Sequence, residues 1–466
     1  MNRREFLAAA AGTAVAARAA AGQIESIEHK GVLIRECSLD GERRSNDVVP
    51  AHPNGIQASK QTWLLIYATR TFRGVDDDLS IVYQLRRGEP DGRVIKEGFF
   101  SRVQMNWDPI GDGKASYVRQ LGHPVLFGAP RGAKVQGKPA PSADVFVAKW
   151  RRTARLLDKD KNLLVHAPGE ERPSLALQAV EWVQFRLNPT EDDIEIIQPA
   201  QVLRQKGYET GEAFCSGAAV KSTNQSFVQA VPYNRDGTEW ADCNHFDGGR
   251  LACLKYRYDP KLGRYEWVQM GPLFGDSTQR LSEASLAQLG SQWIIAGRQG
   301  TAGVVWTRTE DPFAKIGSLA RPQEPVTTTP RTAYVWADGA LRLFTGDPTI
   351  SPYKNARDPL YCWDIDPDAG FTASNRRVIF DSVKAGVPIR REARPMIDMC
   401  KLLPHGGGRT QWIVHRVHVA ASNHPRQSLS GPVQQLPRIS DQEKGSCAIH
   451  YAKVTYAEAF PSRWDY

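Results

Sequence analysis

No apolar stretch of this 466-residue sequence is long enough to cross a bilayer as a helix, which excludes a multi-span membrane protein. Cysteine is sparse: seven residues, at 37, 215, 243, 253, 362, 400 and 447, with no CxxC pair and none of the Cys/His spacings usual for zinc. No GxSxG elbow, HExxH or phosphate loop occurs, so the common serine hydrolases, zincins and P-loop NTPases are excluded at the level of motif. The run Gly406-Gly407-Gly408 leads into Arg409 between strand-like segments instead of opening a helix, so it is no phosphate cradle. Helical periodicity is thin throughout. Long blocks of like charge are missing too: Lys+Arg 60 against Asp+Glu 51 leaves +9, spread along the chain. A nucleic-acid partner is therefore not expected, and an anionic small molecule suits the excess better.

What is present is ordinary globular composition, 41% hydrophobic and 24% charged, which excludes a mainly disordered chain. Twelve Trp and fourteen Tyr, punctuated by 39 Gly and 30 Pro, favour many short strands joined by tight turns. Residues 1–22 read as a leader. Arg3-Arg4 is followed by Phe6-Leu7, an alanine-rich stretch, and the small residues Ala19-Ala20-Ala21-Gly22 where a signal peptidase cuts. The stretch is short and interrupted by Arg18, so a stable membrane anchor is not expected. Loss of three arginines and one glutamate leaves a mature chain, 23–466, at 9 − 2 = +7. The paired arginines imply twin-arginine export to the periplasm or beyond. Most of the seven cysteines then read as small buried residues, with room for one bridge.

A recurring pair of apolar runs carries the architecture. Trp63–Arg70 precedes Leu79–Tyr83, and Val125–Arg131 precedes Asp144–Trp150. Phe227–Tyr233 precedes Leu251–Tyr256, and Trp293–Arg298 precedes Gly303–Arg308. Leu341–Asp347 precedes Leu360–Asp366, and Trp412–Arg416 precedes Ala448–Val454. Six copies of "run, loop, run" are what a radial β-propeller requires, because each small antiparallel sheet buries its faces only against its neighbours. Val180–Phe185 and Ile194–Ile197 either complete blades two and three or form an extra blade. The expected fold is all-β, a six-bladed propeller in one domain.

If the first run of each pair is the innermost strand, the residues that follow it face one mouth of the channel. Arginine ends several of these runs, and Arg70, Arg131 and Arg298 are the ones taken as candidates. Arginines converging at a mouth suit a carboxylate, through paired charge-assisted hydrogen bonds. Each is equally explained by an ion pair with a local acid between blades. The acidic triplet Asp76-Asp77-Asp78 has the mutual repulsion that suits a general acid, although a solvated turn explains it as well. Asp242–Asp247 and the histidines 405, 415 and 418 are weaker candidates. In a strand, His415 and His418 point to opposite faces, so joint metal ligation is not expected.

On these residues the chain resembles the sialidase (neuraminidase) superfamily of six-bladed propellers. Arg70 with Asp76–Val82 resembles that family's first blade. Leu281–Leu286 through Ile295–Arg298 resembles its "glutamate, strand, turn, strand, arginine" segment. Ala356–Leu360 followed by Asp364-Ile365-Asp366 resembles the segment with a further arginine. Tyr258-Asp259-Pro260 with Gly263 and Trp267 is a loose Asp-box turn, and Asp364–Asp366 with Gly370-Phe371 a weaker one. The resemblance implies a glycoside hydrolase acting on an acidic sugar or glycan terminus, without a cofactor or metal, as a monomer. It implies Arg70, Arg298 and Arg357 as carboxylate binders, Glu283 as base or helper of the nucleophile, and Asp76 or Asp77 as acid. Two positions depart from the family pattern. His52-Pro53-Asn54-Gly55 stands where its first arginine is expected, which makes His52 the substrate-binding candidate there. Glu392–Cys400 contains no tyrosine where its nucleophile is expected. Two other readings stay open: a non-catalytic propeller binding glycan or protein, and an anionic-polysaccharide lyase using His52 and Tyr233.

Overall fold

The structure, a computed structural model, describes residues 23–35, 48–71, 78–102, 108–109, 116–135, 137–157, 178–203, 218–223, 225–233, 250–275, 281–299, 303–314, 316, 319–321, 332–387, 395–404, 406–418, 447–462 and 464. The leader at 1–22 lies outside them. Among the described residues there is no helix, and none therefore long and apolar enough to cross a membrane.

The strands in chain order form six blades. Strand β1 (Ile24–Ile34) is set aside for the last. Blade 1 is β2 (Val48–Gln57), β3 (Thr62–Thr71), β4 (Asp78–Arg87) and β5 (Val94–Ser101). Blade 2 is β7 (Ser116–Ala129), β10 (Val145–Leu157), β11 (Gln178–Leu187) and β12 (Ile194–Val202). The short β6 (Asp108–Pro109) pairs along the start of β7, and the ribbon β8 (Lys134–Val135) with β9 (Lys138–Pro139) lies in the turn after it. Blade 3 is β13 (Val220–Thr223), β14 (Ser226–Tyr233), β15 (Arg250–Asp259) and β16 (Arg264–Met270). Blade 4 has three strands, β17 (Leu281–Leu289), β18 (Gln292–Gln299) and β19 (Gly303–Thr309). Blade 5 is β20 (Thr332–Val335), β21 (Leu341–Thr345), β22 (Leu360–Asp366) and β23 (Thr372–Phe380). Blade 6 is β24 (Met396–Leu402), β25 (Gly408–His418) and β26 (Ala448–Phe460), completed on its outside by β1.

Neighbouring strands pair antiparallel, and six apolar clusters fill the six seams. Ile66 and Ile81 meet Phe146 and Phe185 between blades 1 and 2. Phe127 joins Phe227 and Tyr256 between blades 2 and 3, and Cys253 joins Ile295 between 3 and 4. Trp306 stacks on Phe371 between 4 and 5, with ring centroids 5.2 Å apart. Phe344 and Phe380 join Ile413 between 5 and 6, and Trp412 and Ile449 join Trp63 and Leu65 between 6 and 1. The ring is therefore a closed six-bladed β-propeller. Closure joins the two ends of the chain, because β1 pairs with β26 in the register Ile27↔Val454.

The apolar runs found in the sequence are the second and third strands in five blades. These strands are sandwiched on both faces, so they read as continuous apolar stretches; Trp293–Arg298 is buried throughout. The innermost strands are β2, β7, β13, β17, β20 and β24, and the expectation that the first runs are innermost is corrected accordingly. In blade 2 alone the runs are the first and second strands, with Val180–Phe185 and Ile194–Ile197 completing that same blade as β11 and β12. Both Asp-box-like segments are turns between third and fourth strands. Asp259 accepts from Lys261 N at 2.8 Å, and Asp366 accepts from Asp368 N at 2.9 Å. Cys253, Cys362, Cys400 and Cys447 are buried, and burial raises the pKa of Cys362 to about 12. Cys37, Cys215 and Cys243 lie outside the described residues.

Phe127, buried with ring centroids 5.1 Å from both Phe227 and Tyr256, is a keystone of one seam. Phe127→Ala is expected to lower unfolding stability by about 3–5 kcal/mol in urea titrations. The exposed Val94→Ala is expected to stay within about 0.5 kcal/mol in the same titrations.

Candidate active site

Four innermost strands carry the same local irregularity. Pairing skips from Ala51 to Asn54 in β2, from Gly122 to Val125 in β7, from Ser282 to Ser285 in β17 and from Asp398 to Lys401 in β24. At each skip a non-glycine residue takes the left-handed conformation: His52 (φ 52), His123 (φ 53), Glu283 (φ 46) and Met399 (φ 53). A non-glycine in that region costs of order 1 kcal/mol or more, and bulges of this type re-aim side chains beside functional sites. On the second strands, Arg151, Arg298 and Arg416 sit opposite the residue just before the bulge, namely Gly122, Ser282 and Asp398. The bulges and these arginines thus recur at one level around the axis.

Asp398 is the hub. Its buried carboxylate accepts from Arg416 twice, Nε to Oδ1 and Nη2 to Oδ2, each at 2.7 Å. Arg357 Nη1 donates to the same carboxylate. Arg416 Nη1, an obligate donor, lies 3.1 Å from His52 Nε2, while His123 N–H donates to His52 Nδ1 at 3.3 Å. The two imidazoles stack with centroids 3.9 Å apart. Both nitrogens of His52 thus face donors, and a neutral imidazole accepts at only one of them. Across the channel, Arg298 Nη1 donates to Glu283 at 2.8 Å, with both side chains buried.

Arg357 reaches the site on the segment joining β21 to β22. Ser351 Oγ donates to the Asp358 carbonyl at 2.5 Å, Ser382 Oγ bonds the Asp358 carboxylate, and Arg357 N donates to Asn355 at 2.7 Å. Gly346 permits this fold-back, because a Cβ there would lie 2.1 Å from the Ala356 carbonyl oxygen. Burial foremost, with Arg416 and Arg298 adding to it, lowers the Arg357 pKa against the raising pull of Asp398 and Glu283. It remains a cation at neutral pH. Its side chain is 22% exposed where those of Arg298, Arg416, Glu283 and Asp398 are 8% or less. Within the Arg298–Glu283 pair and the Arg357–Asp398–Arg416 cluster, three guanidiniums face two carboxylates, and of these five side chains Arg357 is the one that meets solvent.

Of the residues singled out in the sequence, His52, Glu283, Arg298 and Arg357 are brought to this one mouth. Arg70 lies in β3 opposite Val49 and Asp78, and its side chain is outside the description. Asp76 and Asp77, Asp242–Asp247 and His405 also lie outside the described residues, as does the side chain of Tyr233 on β14. Arg131 does not join the site. It follows an innermost strand, so it emerges at the opposite face, where it donates to Asp144 and to the Leu187 carbonyl, both at 2.6 Å. His415 and His418 diverge as expected for a strand. Sequence reasoning missed Asp398, His123 and the engagement of Arg416. The visible signals were the doubled His-Pro at 52–53 and 123–124, and the shared ending of Trp293–Arg298 and Trp412–Arg416 in arginine.

No protein-family model and no curated protein matches the sequence. Among solved structures, Trypanosoma rangeli sialidase aligns at TM-score 0.49 and 9% identity, over 87% of this chain and 54% of that one. This chain thus spans about half the length of that enzyme. A Hadza microbial sialidase aligns at TM-score 0.49 and 10% identity, over 91% of this chain and 68% of its own. A protein of unknown function from Dyadobacter fermentans aligns at TM-score 0.49 and 12% identity, over 93% and 100% respectively. Sialidases are thus among the propellers this chain is similar to. The six-bladed ring itself rests on the strand pairing and seams described above.

Removing Asp398 leaves two guanidiniums at the mouth without their shared acceptor. Asp398→Ala is expected to lower stability by about 3–5 kcal/mol in chemical denaturation. Breaking the exposed Arg409–Glu25 pair by Glu25→Ala is expected to change it by less than about 1 kcal/mol.

Proposed function

We propose that the chain is an exported glycoside hydrolase that takes an acidic sugar or glycan terminus at this mouth. The observation that carries the reading is the charge balance: three guanidiniums converge on two carboxylates, and the remaining positive charge lies on the solvent-facing Arg357. Of the side-chain nitrogens of Arg357, only Nη1 is bonded to protein among the described residues, to Asp398 and to the Met396 sulfur. Its Nε and Nη2 are the donors that receive the sugar carboxylate.

Glu283, which accepts from Arg298, serves as base or helper of the nucleophile. The acid is Asp76 or Asp77, as the family resemblance implies. Arg298 orients Glu283, and Asp398 holds Arg357 and Arg416 in place. His52 positions Arg416 at the rim of the carboxylate site. No cofactor enters the scheme.

A second reading, a propeller that binds acidic glycan without cleaving it, is favoured by one fact: both described carboxylates of the site are already ion-paired. A panel of sialylated and uronic-acid glycans separates the two. Under the hydrolase reading Glu283→Gln is expected to lower kcat by about 10²–10⁴-fold while glycan binding persists. Arg357→Ala is expected to weaken acidic-glycan binding by about 10- to 100-fold, the worth of a charge-assisted bond. No product from any glycan, with parent and Glu283→Gln binding alike, overturns hydrolysis in favour of binding. An ultraviolet-absorbing unsaturated product overturns it in favour of a lyase.

A further inference from the structure

Away from the mouth, the join between the two ends of the chain carries three histidines that the proposed chemistry does not use. His29 lies on β1, His450 on β26 and His415 on β25, in the one sheet assembled from both ends of the chain. His29 Nε2 and His450 Nδ1 are 3.1 Å apart across the closing pair of strands. The ring of His415 lies beneath them, with centroids 5.8 Å from His450 and 6.3 Å from His29. Phe380 of blade 5 packs against all three, at 4.8 to 5.1 Å. His415 is fully buried, and neither of its ring nitrogens has a hydrogen-bond partner among the described residues.

No group of three His, Cys, Asp or Glu among the described residues is arranged to hold a metal ion, so the cluster is one of protonatable rings. Among the described residues, the charged and titratable groups acting on these rings are one another and Arg35, immediately past β1, with no carboxylate. Glu28 and Lys30 flank His29 on β1, pair with each other at 2.8 Å and are more exposed. A proton added to this seam therefore meets an aromatic ring, two imidazoles and a guanidinium.

We propose that the propeller's closure is acid-sensitive: protonation of the His29–His415–His450 cluster releases β1 from β26 before the remaining blades loosen. Burial lowers the pKa of all three histidines, that of His450 to about 3. An opened strand restores the ordinary value near 6.5. Above that value both forms are neutral and the closure is unaffected. Below it the opened form takes up protons that the closed form does not, so closure weakens as pH falls from 6.5 toward 3. For His450 alone the opening equilibrium rises by 10^(6.5 − 5), about 30-fold, at pH 5. The inference is independent of what the mouth binds.

The experiment is hydrogen exchange with mass spectrometry on the whole protein at pH 7, 6 and 5, corrected for intrinsic exchange rates. Peptides covering Ile24–Ile34 and Ala448–Phe460 are compared with those covering β14 and β15 of blade 3. The expected result is a loss of protection at the seam about 30-fold greater than in blade 3 by pH 5. His450→Phe is expected to remove most of that difference. His29→Phe, on the outermost strand next to Phe380, reduces it without reaching the interior. Seam protection that holds to pH 5, a loss shared equally by all blades, or folded variants that keep the parent's difference would each overturn the proposal.

Discussion

Every blade has two apolar faces, and among the described residues there is no helix to cover them, so each blade depends on the two beside it. That single requirement explains the ring. Trp306 needs Phe371 of the next blade, Phe127 needs Phe227, and Trp412 needs the strand carrying Trp63 and Leu65. A linear array would leave two sheet faces and two rows of unpaired backbone groups in water. The chain instead brings β1 across to β26, making the last blade from both of its ends. The closing seam is thus the one interface on which all others depend, and it carries the histidine cluster.

The innermost strands are under a different constraint. They face the channel, where packing does not dictate side-chain shape, and so they tolerate bulges. Four of them place a left-handed residue at the same level, three of which are His52, His123 and Glu283. The second strands supply the arginines at matching register. Site geometry therefore follows from blade geometry: repeating one local distortion around the axis converges side chains that are far apart in sequence.

Burying this much charge is costly unless each ion is matched. Asp398 serves two guanidiniums at once and Glu283 serves a third, which leaves Arg357 as the cation in contact with solvent. Under the proposed function such a mouth takes one anionic group rather than several, because most of the positive charge of these five side chains is already answered from within. The same pairing holds the Glu283 and Asp398 carboxylates in fixed orientations.

The twelve strand-like runs of the sequence are strands, and the six-fold pattern is the ring; strands sandwiched on both faces are continuous apolar runs that a sequence displays openly. The innermost strands were not legible. Val48–Gln57 with its His-Pro-Asn-Gly, and Met396–Leu402 interrupted by Asp398 and Lys401, are bulged and channel-facing, so no regular alternation marks them. That is why Arg131 was placed at the wrong end and Asp398 overlooked. Glu283, Arg298, Arg357 and His52 were singled out by residue type and resemblance, whereas Asp398, Arg416 and His123, which hold Arg357 and His52, were not. The sequence by itself determined the strand repeat, the all-β class and a supply of arginines, because these follow from local burial and composition. Which arginines meet, which acid each one answers, and which cation is left facing water were decided by the tertiary structure alone, because ring closure brings Asp398 to Arg357 and His52 to Arg416 across 41 and 364 residues of chain.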